Sequence, residues 1–318
     1  MKNKLFNIAD FPTQEEIYLQ KTLQKIDKII SIEKILSEKW NEKIIHSYYK
    51  KMDFLYQYFH SKEGAMHFPI YTPEKIKHHA EGLREQAEFV KEKALKINAK
   101  KIAELGCGIG YNVAYLAKNI PHIKSYGVDL SAKHIQFAKK KNNLITNAYF
   151  EVGNLENPVL KEFDILFGVE SFCYTRNLEI TLKNWYSSLN KGGNAIIFDV
   201  FLPNTYQTVS PAFQTSVQLT ALGFAVEKWW QIEQLKTIAQ NIGWKIIEIT
   251  DISKLIQPNL QRFGKDSEKI LRYPLLTKMA TNLKIFPKTI LKHCITGILA
   301  AQTIGTPAQA YYRIVLEK

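Results

Sequence analysis

Beyond residue 100 the apolar residues fall into short, nearly unbroken runs, at 102–105, 124–129, 148–152, 163–169, 194–201, 244–252 and 311–316. Runs of that length, rich in Val, Ile and Phe, read as strands buried on both faces. Between them, 113–118, 132–141, 178–189 and 231–242 place apolar residues at helical spacing. Strand and helix in alternation predict an α/β fold, a Rossmann-like, mostly parallel seven-stranded sheet with its ligand sites at the strands' carboxyl ends.

Upstream the pattern is helical throughout. Thr13-x-x-Glu16, after Pro12, is a capping box, and it leads into Leu19, Leu23, Ile26 and Ile30, then Leu36, Trp40 and Ile44. Thr72-Pro73 opens a further helix that carries Ile76, Leu83, Ala87 and Val90 to a stop near Asn98. The chain therefore divides into a helical cap, residues 1–98, lying over the open end of the sheet, and a sheet domain, residues 99–318. Two stretches exceed a bare sheet. Residues 202–228, rich in Thr, Gln and aromatics, predict a substrate-facing loop and helix. Residues 254–301 predict three helices marked off by Pro258, Pro274 and Pro287, an insertion long enough to carry function.

The first strand runs into Glu104-Leu105-Gly106-Cys107-Gly108-Ile109-Gly110. Glycine suits a sharp strand-to-helix turn because it tolerates positive φ and lets a ligand lie directly on the backbone. A dinucleotide fingerprint needs another glycine three residues after the second, where Tyr111 stands, and a phosphate loop needs a closing Gly-Lys-Ser/Thr, which is missing. Asp129 ends the second strand, 19 residues beyond Gly110, where an acid accepts hydrogen bonds from ribose hydroxyls or caps the helix that follows. After the third strand, Asn154 offers an acceptor oxygen or serves as a turn residue. Glu170 emerges from the buried fourth strand. Burial without a neutralising cation raises a carboxyl pKa and suits a general base, a structural cap being the alternative.

Composition narrows the partners. The 318 residues carry a formal net charge of +13, with 46% hydrophobic and 23% charged residues, as in an ordinary globular protein. Arg occurs only at 84, 176, 262, 272 and 313, so 38 of the 43 basic residues are Lys. Nucleic-acid recognition favours arginine forks, and a lysine coat argues against it. Cys107, Cys173 and Cys294 are far apart, at neither metal nor disulfide spacing, and His78-His79 lacks a carboxylate or Cys partner, so no metal site is assigned. The most apolar stretch, 290–304, is interrupted by Lys292, His293, Gly297 and Gln302, and the amino terminus lacks a signal-peptide core. A cytoplasmic protein is expected. Peripheral membrane contact through 278–292 stays open, as does a homo-oligomer.

The acid-x-Gly-x-Gly-x-Gly turn resembles motif I of the class I S-adenosylmethionine (SAM) methyltransferases. Ser47-Tyr48-Tyr49, the aromatic run Phe54 to Phe59, Gly64-Ala65-Met66-His67-Phe68, His78-His79-Ala80-Glu81 and Glu170-Ser171-Phe172-Cys173-Tyr174 resemble the sterol, tocopherol and isoprenoid C-methyltransferases within that class. The resemblance implies an antiparallel last strand. It places SAM, and its product S-adenosylhomocysteine, on Glu104, Gly106, Gly108, Gly110, Asp129, Leu130, Asn154 and Leu155. Glu104 would pair the methionine ammonium, and Asn154 stands where the family usually has Asp for the adenine. Glu170 would lie beside the transferred methyl, with Tyr48, Tyr49, Phe68, Phe172 and Tyr174 as aromatic faces for a carbocation. His67 is a second base, a diphosphate donor or a packed residue. The implied acceptor is an isoprenoid or lipid-like small molecule, with Mg2+ arriving only on a diphosphate. The alternatives are O- or N-methylation of a small natural product or phospholipid head group, and a non-catalytic SAM-fold protein bound to RNA or an anionic membrane.

Overall fold

The computed structural model describes residues 13–40, 43–55, 60–72 and 78–318. Pro12, the side chains of the 54–59 aromatic run, and Pro73 with Ile76 lie outside the described residues. The capping box forms: the Thr13 side chain accepts the Glu16 N–H at the start of α1 (Gln14–Ile29). Next come α2 (Ile32–Leu36), α3 (Lys43–Leu55), α4 (His79–Gly82) and α5 (Glu85–Lys96). The single helix expected up to Asn98 is thus two in its described part. The break lies at Leu83 and Arg84, where the chain crosses against Ile70, whose N–H donates to Gly82.

From residue 101 the expected alternation is present: β1 (Lys101–Leu105), α6 (Tyr111–Asn119), β2 (Lys124–Asp129), α7 (Ala132–Lys141), β3 (Ala148–Val152), β4 (Phe163–Val169), α8 (Leu178–Ser188) and β5 (Leu189–Phe201). Then follow α9 (Pro211–Gly223), α10 (Ile232–Ile242), β6 (Lys245–Asp251), α11 (Ser253–Ser267), α12 (Pro274–Asn282), α13 (Lys288–Thr303) and β7 (Ala310–Glu317). The strand order is β3-β2-β1-β4-β5-β7-β6, and β7 is antiparallel to both of its neighbours. The order reverses between β1 and β4. Their carboxyl ends flank the crevice where such sheets bind ligands, and there stand the glycine turn and Glu170.

The insertion has its three helices, but Pro258 lies inside α11 instead of bounding it. Proline in a helix forfeits one backbone bond and crowds the preceding turn. Here Ile256, Asn259 and Leu260 are buried on either side of it, and packing outweighs the local penalty. Helices α1 and α2 do not cover the sheet directly. Leu19, Ile26 and Ile35 share an apolar cluster with Leu219 of α9 and Leu291 and Ile298 of α13, so the first helices and the insertion form one helical layer. Helix α9 belongs mostly to that layer, and the residues of its region that line a cavity are those just after it, Phe224 and Trp229.

Candidate active site

Local chain geometry builds the first half of the site. Gly106, Gly108 and Gly110 all take positive φ (86°, 52° and 81°), a region that penalises any Cβ. At Gly108 a Cβ would also come 2.4 Å from Met66 Cε, so the turn presents bare backbone beneath the 60–72 segment. A cavity of about 400 Å³ lies over it. Seven of the eight residues expected to hold the cofactor line this cavity. Gly110 does not, and the space a Cβ would need there is filled by the Phe150 ring.

Glu104 is buried, and Asn112 Nδ2 donates to its Oε1 at 2.7 Å, while its Oε2 has no hydrogen-bond partner. Burial, with Asp129 nearby, pushes its carboxyl up to about 8. An orphaned buried carboxylate oxygen is costly and is satisfied by an ammonium ligand. Asp129 accepts from the backbone N–H groups of Gly108 (2.9 Å) and Ser131 (2.8 Å). The acid thereby stiffens the turn and the entry to α7, with Ser131 itself capping that helix. Asn154 accepts the Glu156 N–H at 2.8 Å, a turn role that coexists with its place on the cavity wall. Bare backbone at Gly108, the unsatisfied Glu104 oxygen and the Asp129 carboxylate fit the turn, ammonium and ribose of SAM.

The second half comes from residues distant in sequence. Glu170 directly follows β4 with φ of 50°, an uncommon conformation for a side chain-bearing residue. Its Oε1 accepts the Phe68 N–H at 2.7 Å and the Tyr311 hydroxyl at 3.0 Å. Desolvation outweighs those bonds and raises its carboxyl to about 8, with Asp199 adding to the effect. Asp199, held by the Cys173 and Val200 N–H groups, is itself pushed up to about 7 by burial.

A second cavity of about 480 Å³ lies behind Glu170, under α11 and α13. Tyr49, Met66, His67, Glu170 and Tyr174 border both cavities, so the four residues expected to be catalytic all stand on the shared wall. The Tyr49 and Tyr174 hydroxyls are 3.0 Å apart, and Tyr174 donates onward to the Phe224 carbonyl. His67 is held by the Leu83 carbonyl at 2.9 Å, and desolvation lowers its pKa to about 4, which makes it a neutral wall residue. Tyr48, whose hydroxyl meets His293 Nδ1 at 3.0 Å, and Phe68 line the second cavity as expected. Phe172 does not: it is fully buried against Trp185 and Phe201 on the other side of the chain, because the short turn after Glu170 points successive side chains oppositely. Sequence reasoning missed Met66, Phe224, Trp229, Phe263, Arg262 and Tyr311. No local pattern marks them, since they converge from four separate segments. Among the described residues, no group of three His, Cys, Asp or Glu could hold a metal ion.

Known proteins share the fold around this site. Residues 103–195 match the family described as a methyltransferase domain. With that match, the sheet order and the glycine turn, the chain carries a class I SAM-dependent methyltransferase domain. A malonyl-[acyl-carrier protein] O-methyltransferase of Bacillus cereus is 29% identical over 127 residues, 40% of this chain and 46% of that protein. The chain spans about half the length of the curated relatives it matches. Two solved structures share the fold. The geranyl diphosphate C-methyltransferase of Streptomyces coelicolor A3(2), in complex with Mg2+, geranyl diphosphate and S-adenosyl-L-homocysteine, has a TM-score of 0.60 at 15% identity, covering 88% of this chain and 98% of that one. The cyclopropane synthase MmaA2 of Mycobacterium tuberculosis has a TM-score of 0.69 at 11% identity, covering 87% and 98%.

Proposed function

We propose that the protein is a SAM-dependent methyltransferase that methylates an alkene carbon of an isoprenoid-type, lipid-like acceptor. The observation that carries this reading is the shared wall: a desolvated carboxyl, Glu170, stands between the cofactor cavity and a second cavity faced with Tyr48, Tyr49, Phe68, Tyr174, Phe224 and Trp229. Bound SAM supplies an electrophilic methyl group on a sulfonium. An acceptor alkene gives its π electrons to that methyl as the S–CH3 bond breaks, and the adjacent acceptor carbon is left cationic. Aromatic faces stabilise such a cation without quenching it. Glu170 then removes a neighbouring proton, and the C–H electrons restore a double bond. In this reading residues 1–98 and 254–301 act as cap and insertion that together exclude water, which a carbocation requires.

A carboxyl raised to about 8 is largely protonated at neutral pH in the ligand-free site. A sulfonium and then a carbocation beside it favour the ionised form, so the base is generated when it is needed. Arg262 on the far wall suits an anionic or polar head on the acceptor. Lys269 there is already paired with Asp266 at 3.1 Å.

The test is turnover on alkene acceptors, a prenyl diphosphate and a neutral prenylated lipid, with the product's methyl located by NMR. Glu170→Gln is expected to lower kcat by about 10²- to 10⁴-fold, a far larger loss than its effect on SAM affinity. Transfer to oxygen or nitrogen, with Glu170→Gln nearly fully active, would instead support the chemistry in the names of the curated relatives. Among those are O- and N-methyltransferases.

A further inference from the structure

Helix α12 is built inside out. Its protein-facing side carries Thr277 and the buried Thr281, whose hydroxyls are absorbed by the Ile270 and Thr277 carbonyls. Its outward side carries Leu275, Leu276 and Met279, continued by Leu283 and Ile285 and preceded by Tyr273. These six side chains are between 58% and 74% exposed. Leu275, Leu276, Met279 and Leu283 fall within about 100° of one another around a helix of 3.6 residues per turn, so they form one face. A surface helix normally turns that face inward. An outward apolar face of this size marks an interaction site.

Charge selects the occupant. From Lys269 to Lys292 the sequence holds six basic residues and no acid. Lys269 and Lys292 are paired with Asp266 and Glu38, which leaves Arg272, Lys278, Lys284 and Lys288 around the apolar face with no acidic partner among the described residues. Leucines in the middle and lysines at the rim match an anionic bilayer, which takes the apolar face into the acyl boundary and the cations at its head groups. Pairing with a second copy across a twofold axis would bring the same four cations against each other.

Position ties the patch to the site. The chain leaves the wall of the second cavity at Lys269 and rejoins it at Ile290, and the apolar face lies on the excursion between them. We infer that α12 and the turn after it dock the enzyme on an anionic lipid surface, setting the second cavity beside the bilayer from which its acceptor is drawn. The origin of the acceptor rests on the carbon-methylation reading above, whereas docking itself is read without catalysis.

The experiment is co-sedimentation of the full chain with phosphatidylglycerol/phosphatidylcholine vesicles and with phosphatidylcholine vesicles alone. Binding is expected to the anionic vesicles and to weaken with added salt. Leu276→Glu with Met279→Glu should reduce partitioning by about tenfold or more, and Lys278→Glu or Lys284→Glu by about fivefold each. Thermal midpoint and SAM binding, read in parallel, should be unchanged in these variants because none of the residues lines either cavity. No binding to anionic vesicles overturns the inference, as does binding that the apolar variant leaves intact. A concentration-dependent dimer in sedimentation velocity, broken by the Leu276→Glu/Met279→Glu pair, would assign the face to a second copy instead. Glu170→Gln protein should bind vesicles like the wild type, which separates failure of docking from failure of the chemistry.

Discussion

Tyr311 holds Glu170 from two strands away. It stands on β7, fully buried, and gives its hydroxyl proton to Glu170 Oε1 at 3.0 Å. A hydrogen bond donated to a carboxylate favours the ionised form and opposes the desolvation that raises this carboxyl. Tyr311→Phe removes that donor and keeps the ring. In the proposed reaction the ionised carboxyl is the working form, so the rate rises with pH through the Glu170 pKa. The variant should move that ascending limb to higher pH by about one unit. The readout is the pH profile of kcat on an alkene acceptor. A limb that stays in place while the whole profile drops would mean that the tyrosine contributes packing alone.

Among the elements, close contacts between α11 and α13 shape the second cavity. A Cβ built at Gly297 would come 2.7 Å from both Phe263 Cε2 and Ser267 Oγ, and one at Gly264 2.8 Å from Ala301 Cβ. Gly297→Ala should push Phe263 into the cavity it lines and destabilise the fold by about 1–3 kcal/mol, the usual cost of overpacking. Denaturant midpoints and acceptor KM should both show it, with SAM affinity unchanged. Contacts of this kind divide what the sequence makes legible from what it does not. All seven strands and the glycine turn were readable because burial, alternation and positive φ are local demands that fix residue types within a few positions. The cofactor cavity follows directly from that turn. The second cavity does not, because Phe68 reaches Glu170 across 102 residues and Tyr311 across 141, and no periodicity records such pairings. Phe172 misleads for the same reason, since Tyr174, two residues on, faces the cavity while Phe172 packs into the core. Pro258 misleads because burial that only the tertiary structure reveals outweighs the local helix penalty.

For the whole molecule, the buried titratable groups make stability depend on pH in a direction that can be worked out. Glu104 and Glu170 are raised to about 8 and Asp199 to about 7, so the folded chain retains protons that the unfolded chain releases near its ordinary carboxylate range. Their stabilisation is complete at low pH and is lost as pH climbs toward 8. His60, His67 and His293 are lowered to about 4, so the unfolded chain binds protons that the folded chain does not, and stability is gained as pH rises from 4 to 6.5. The two sets oppose each other between about 4.5 and 6.5, and above 6.5 only the carboxyls remain. The ligand-free thermal midpoint should therefore be flat between about pH 4.5 and 6.5 and fall by several degrees between 6.5 and 8. Each retained proton contributes at most about 1.4 kcal/mol per pH unit. Glu104→Gln should make that fall shallower. SAM should do the same, because an ammonium beside Glu104 and a sulfonium near Glu170 lower both carboxyls and leave fewer protons to lose. The same linkage requires SAM binding to release protons, so its Kd should tighten as pH rises from 6.5 to 7.5, below the titration of the ligand's own amine at about 7.7–8. Calorimetry in two buffers of different ionisation enthalpy measures the proton count directly. Proton uptake on binding, or a midpoint that climbs with pH, would show that Glu104 is already ionised and satisfied before the ammonium arrives.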